Sequence, residues 1–123
     1  MSANLGSPAP PPSEAGRSQE VAELLRVAWE RYGEGRYEDA VEPLEAARRL
    51  APGDAEPVFA LGLNLKKLGR KVPAADAFRQ AASLAESLSD RTRGTMLRRL
   101  CLGHVNHLER GQWDLEREVW GKA

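Results

Sequence analysis

Residues 32–54, YGEGRYEDAVEPLEAARRLAPGD, meet something like themselves once in the chain, at residues 66–88, KKLGRKVPAADAFRQAASLAESL. Gly35 falls on Gly69, Arg36 on Arg70, Ala40 on Ala74, Ala47 on Ala81, Leu50 on Leu84 and Ala51 on Ala85, each thirty-four positions later. A fixed period of that length means one small packing unit followed by another of the same kind, because a short unit buries its apolar face only against a neighbour. Four of the six returning residues are glycine or alanine. The positions kept are those with the least room.

The pattern inside the unit is helical. Ser18 is placed to cap a first helix, in which Val21, Leu24, Leu25, Ala28 and Trp29 recur at i, i+3, i+4, i+7 and i+8, and Gly33 and Gly35 end it. A second helix is predicted from Tyr37 to Leu50, with Ala40, Val41, Leu44, Ala47 and Leu50 on its apolar side and APGD closing it. Pro43 lies inside that segment and forfeits one backbone hydrogen bond, which predicts a slight kink or a late start. Asp54 caps a third helix through Val58, Leu61, Gly62 and Leu65, with Pro57 in its first turn and Gly69 at its end. Pro73 opens a fourth, through Ala74, Phe78, Ala81 and Leu84. No segment alternates with the period of two that a strand requires.

The expected architecture is therefore all-α, made of tandem helix–turn–helix repeats. Antiparallel helices joined by a short turn approach closely where one side contributes Gly or Ala, so that the facing ridge enters a groove. Ala28 and Gly62 are placed to do this on the first helix of each pair. Ala40, Ala47, Ala74 and Ala81 do it on the second, with Leu44 and Phe78 filling the space between.

A thirty-four-residue helix–turn–helix period, with small residues at these places, resembles the tetratricopeptide repeat (TPR) family, in the manner of a small bacterial-type TPR domain. Residues 55–88 are similar to the family sketch at Leu61-Gly62, Ala74 and Phe78, with Val58 and Leu65 replacing two aromatics; residues 21–54 are similar at Ala40, Leu44 and Pro52. The resemblance implies a TPR-like α-solenoid of about three units, 21–54, 55–88 and a degenerate 89–123. In the third, LGHVNHLERGQWD resembles the glycine-turn half of a repeat, yet Gly103 to Gly111 is one residue longer than Gly62 to Gly69. One long helix is predicted there from about Asp90 to Arg110, with Leu97, Leu100, Cys101, Val105 and Leu108 as its apolar stripe, followed by a final helix from Asp114 to Gly121.

The resemblance also implies where a partner would bind. The first helices of TPR units line a concave surface that holds segments of other proteins. By position, that groove is expected to present Leu25, Trp29 and Tyr32 from the first unit, Phe59, Leu63, Lys66 and Lys67 from the second, and His104 and His107 from the third. Family members that clamp the C-terminal carboxylate of heat-shock chaperones use Lys and Asn where this chain has Leu25 and Trp29, so that clamp is not expected. An aromatic floor with a basic rim suits a helical or Pro-containing segment. The competing reading makes Leu25 and Trp29 core residues, covered by the long third-unit helix.

Charge and composition remove other classes. Eighteen Lys and Arg balance eighteen Asp and Glu, so no net field favours nucleic acid or an anionic membrane. Arg91, Arg93, Arg98 and Arg99 form a basic stretch, but no aromatic residues interleave them as a nucleic-acid platform requires. No stretch approaches the roughly 20 apolar residues of a membrane span and no apolar run opens the chain. With a single cysteine, the expectation is a cytoplasmic protein. Cys101, His104 and His107 stand three apart on one helix, but the first and last are roughly 9 Å apart along its axis, too far for one ion, and no metal or cofactor is expected. Cys101 as a nucleophile lacks an evident oriented base.

Residues 1–18 carry SPAPPP and read as a disordered tail with local polyproline II character, leaving 19–123 as the repeat domain. The tail could lay Pro10–Pro12 across Trp29, Tyr32 and Phe59. Residues 1–54 hold six basic and ten acidic side chains and residues 55–123 twelve and eight. With Trp113 and Trp120 near an end that has no polar cap, a weak homodimer through that end is expected. The leading expectation is a non-enzymatic protein–protein interaction module, a scaffold or adaptor for a protein or peptide partner. A chaperone-like holdase and a structural, self-associating subunit remain as alternatives.

Overall fold

The computed structural model describes residues 18–111. Residues 1–17 of the expected tail, Trp113, Trp120 and the expected final helix lie outside the described residues, while Ser18 belongs to the start of the first helix. Five helices follow one another: α1 (Gln19–Gly33), α2 (Tyr37–Leu50), α3 (Ala55–Lys67), α4 (Lys71–Ala85) and α5 (Arg91–Arg110). The described residues are all-α, without a strand. No helix among them is long and apolar enough to cross a membrane.

The starts of α1, α3 and α5 have a local cause, whereas α2 and α4 begin without a side-chain cap. The Ser18 hydroxyl accepts from the Val21 N–H at 3.2 Å, the Asp54 carboxylate from the Glu56 N–H at 3.1 Å and the Asp90 carboxylate from the Arg93 N–H at 3.1 Å, which satisfies donors that a helix start leaves open. Helix α4 begins at Lys71, two residues before Pro73, so the proline sits in the first turn rather than opening it. The ends are also local. Gly35 and Gly69 adopt φ of 78° and 79°, a region costly for any residue with a Cβ. The two turns also share their hydrogen bonds: Gly35 N–H donates to Tyr32 O and Arg36 N–H to Arg31 O, while Gly69 N–H donates to Lys66 O and Arg70 N–H to Leu65 O. Every donor and acceptor in the second set lies thirty-four residues after its counterpart in the first.

Consecutive helices pack on one another along the chain, and α1 also touches α3. The crossing residues behave as expected: Ala40, Leu44, Ala47, Ala74, Phe78 and Ala81 are all fully buried. A Cβ at Gly62 would stand 2.9 Å from the Phe78 ring, so the ring lies where a side chain would have been. The expected stripe of α5 is corrected at Leu100, which is 41% exposed. With Met96, it leaves apolar surface on a helix whose other face holds Cys101 and Val105 in the core. The outer side of α1 differs. Glu23, Arg26 and Glu30 form ion pairs there at 2.7 and 3.6 Å, whereas the residues thirty-four later, Pro57, Ala60 and Asn64, are buried.

Helix α2 starts at Tyr37 and runs through Pro43; the late start does not occur. Proline offers no N–H to the carbonyl four residues back, that of Asp39. The Arg31 guanidinium of α1 donates to that oxygen at 2.8 Å, so a side chain replaces the missing donor and ties α1 to α2. Arg31→Met is expected to cost about 1 kcal/mol, and close to nothing in a Pro43→Ala background, where the backbone N–H returns. Urea titrations of the four proteins in that cycle measure the coupling; equal costs in both backgrounds would dismiss the replacement.

Candidate functional site

The half-buried aromatic side chains form a connected strip. Tyr37 meets Tyr32 edge-on at 5.6 Å between ring centroids, Tyr32 meets Trp29 at 5.8 Å, Trp29 meets Phe59 at 6.4 Å, and Phe59 meets His104 at 6.2 Å. It runs from the start of α2 across α1 and α3 to α5. Edge-on contacts place the positive rim of one ring against the negative face of the next. Trp29 donates its indole N–H to the Glu56 carboxylate at 2.8 Å, and this bond, made across 27 positions of sequence, fixes the ring against α3.

At the α5 end the imidazole of His104 stacks on the buried Phe78 ring, 4.3 Å away and within 5° of parallel. Its Nδ1 lies 3.0 Å from Lys66 Nζ; an ammonium only donates, so Nδ1 accepts and the ring proton sits on Nε2. Burial, then the Lys66 charge, then His107 push the His104 pKa down to about 4, and burial followed by the Lys67 charge lowers that of Lys66. The imidazole is thus neutral at physiological pH.

A sign follows for stability. With a folded-state pKa near 4 against the ordinary 6.5, the unfolded chain takes up the proton first. The contribution of a neutral His104 is whole above pH 6.5 and is lost as pH falls toward 4. The urea midpoint of the protein is expected to fall relative to that of His104→Phe, which keeps the stacking but does not titrate, as pH goes from 7.5 to 5. Parallel pH dependences would refute it.

The residues read from the sequence divide into groups. Trp29, Tyr32, Phe59, Leu63, Lys66 and His104 are half-buried and accessible on α1, α3 and α5, while Lys67 and His107 are exposed. Leu25 is a correction: at 3% exposure it belongs to the core and offers no surface. Trp29 is packed at its edges yet keeps part of its surface; Leu25 alone is core, and α1 packs against α2 and α3 rather than under α5, the long helix expected to cover it. Cys101 is fully buried, and burial pushes its thiol up to about 12, far from the thiolate a nucleophile needs. Met96 escaped the sequence reading, while Tyr37, Leu97 and Leu100 entered it only as helix residues and not as part of a site. Aligning Gly103 with Gly62 brings Leu100 onto Phe59 and His104 onto Leu63, a signal present in the sequence but hidden by the extra residue before Gly111. Met96, Leu97, Arg99 and Leu100 border a shallow depression of about 300 Å³.

Comparison with protein-family models, with curated proteins and with solved structures yields no match.

Proposed function

We propose that this chain is a non-enzymatic protein–protein interaction module, built as TPR-like tandem repeats, that holds a peptide or helical segment of a partner against the aromatic strip of α1, α3 and α5. One observation carries the reading: Tyr32, Trp29, Phe59 and His104 come from three different helices, touch in series, and are neither exposed enough to be incidental surface nor buried enough to be core alone. Rigid aromatic anchors of this kind supply large contact area at low entropic cost. Lys66 and Lys67 at the end of α3 add positive charge beside the strip. The matching glycine turns support the repeat architecture, and the buried, protonated Cys101 offers no nucleophile to an enzymatic alternative.

Affinity capture with the purified chain, compared with Trp29→Ala, Tyr32→Ala and the exposed Val72→Ala, tests the proposal. A partner kept by Val72→Ala and lost by both aromatic variants, at unchanged helical circular dichroism, is the expected result. An identical partner list for all four proteins would remove the strip from the binding surface. The exposed Met96 and Leu100 favour a second reading, a self-associating subunit, for which the readout is sedimentation mass rather than capture.

A further inference from the structure

We propose that residues 112–123 fold back along α5 as an antiparallel helix and seat Trp120 over Gly103, so that the outer face of α5 is bound by its own chain. This does not rest on the aromatic strip being a binding surface. The face itself calls for an occupant. Gly103 is buried and Asn106 is only 3% exposed, yet neither lies where α5 meets a described helix. Gly94 marks the side of α5 that packs on α4, since a Cβ there would strike Ala85. At roughly 100° per residue, Gly103 points about 180° and Asn106 about 120° away from Gly94, while His104, which reaches Phe59 and Lys66 of α3, points about 80° the other way.

Register selects residues 112–123. Gly111 takes a φ of 76°, where Gly35 and Gly69 take 78° and 79°. After both of those turns the next helix starts two residues beyond the glycine and packs on the helix before it. Two residues beyond Gly111 is Trp113. Leu44 and Ala47 follow Gly35 by nine and twelve residues, Phe78 and Ala81 follow Gly69 by the same, and all four are fully buried. Trp120 and Ala123 stand at those places after Gly111. Phe78 occupies the space left by Gly62, seven residues before its turn, and Gly103 lies eight before Gly111. The reach is met: Trp113 to Trp120 and Arg110 back to Gly103 are both seven residues, about 11 Å at the helical rise of about 1.5 Å. A helical side chain leans toward the N-terminus of its own helix, which in an antiparallel segment carries the indole toward Asn106. The carboxamide buried there brings an acceptor for the N–H that a buried indole must place. Glu116 is the departure, standing where Ala40 and Ala74 are buried; it comes level with His107 and one turn from Arg110, both exposed, so the residue too large for a close crossing meets a basic end of α5.

The test uses the full chain. Nuclear Overhauser contacts are expected between the Trp120 indole, assigned with Trp120→Phe, and the protons of Gly103 and Asn106. An isotope-filtered spectrum of mixed labelled and unlabelled protein, which shows only contacts between molecules, is expected to lack them. Gly103→Leu fills the seat and is expected to abolish the contacts, while Met96→Ala, two turns away, keeps them. Absence of the contacts in the wild type overturns the proposal, whether or not Gly103→Leu folds. Contacts that persist in Gly103→Leu at unchanged helical circular dichroism overturn it as well, and contacts that pass the filter replace the chain's own segment with that of a second copy. Partner capture is read separately through Trp29→Ala and Tyr32→Ala, so either proposal fails without the other.

Discussion

Phe78→Ala is expected to be the most damaging single substitution in this chain, costing about 3–5 kcal/mol. Phe78 is fully buried and joins three helices. It rises from α4 into the space that Gly62 leaves on α3, with ring atoms 2.9–3.0 Å from the position of a Cβ there. It meets Phe59 edge-on at 6.0 Å and carries the His104 imidazole of α5 on its face. Truncation leaves a cavity that glycine opposite does nothing to fill, and removes the surface on which His104 rests. For a domain of this size a loss of 3 kcal/mol lowers Tm by at least about 12 °C. Because burial is the first cause of the low His104 pKa, the imidazole is also expected to titrate closer to its ordinary value, which histidine proton shifts followed against pH report. A Tm within about 4 °C of the parent, the effect of roughly 1 kcal/mol, would mean that another side chain holds α3, α4 and α5 together.

The same residue explains what could be read from sequence. Phe78, Leu44 and the alanines around them obey a periodic rule, since small and large residues alternate at fixed helical spacing. Their burial was therefore legible, as were helices α2 and α5, whose limits are set within a turn by Asp90, Gly35 and the APGD segment. The site was legible only as a set of residue types at plausible positions. Its contacts join residues far apart in the chain: Trp29 to Glu56 over 27 positions and Lys66 to His104 over 38. Nothing local marks Glu56 as the partner of an indole, or His104 as a ring stacked on Phe78 rather than a surface base. Leu25 and Trp29 share one face by periodicity, yet one is core and the other half-exposed, because Trp29 reaches past the backbone of α1 to α3. Pro43 shows the same limit. Its missing donor is visible in the sequence, but the replacement comes from Arg31 on another helix.

Gly94→Ala is expected to destabilise the protein by roughly 1–3 kcal/mol through overpacking, against the usual rule that alanine for glycine within a helix gains about 1 kcal/mol. The reversal of sign comes from α4. A Cβ on Gly94 would stand 2.6 Å from the carbonyl oxygen of Ala85 and 3.5 Å from Leu88 Cβ. That oxygen belongs to the last residue of α4 and accepts the Leu88 N–H at 3.2 Å, so it is backbone and has no rotamer with which to move away. The first turn of α5 must therefore lift from α4. The strain reaches the Arg98–Glu86 ion pair at 3.3 Å and then Cys101 and His104, one and two turns or more further along the same rigid helix. Gly33→Ala is the internal control, because it closes α1 with no atom within 4 Å and no positive φ, and it should be neutral or slightly stabilising. Thermal melts that place Gly94→Ala below the parent and Gly33→Ala at or above it match this packing. If Gly94→Ala melts above the parent, the segment between α4 and α5 yields to the new methyl, and His104 is then held by Phe78 and Lys66 rather than by the way α5 leaves α4.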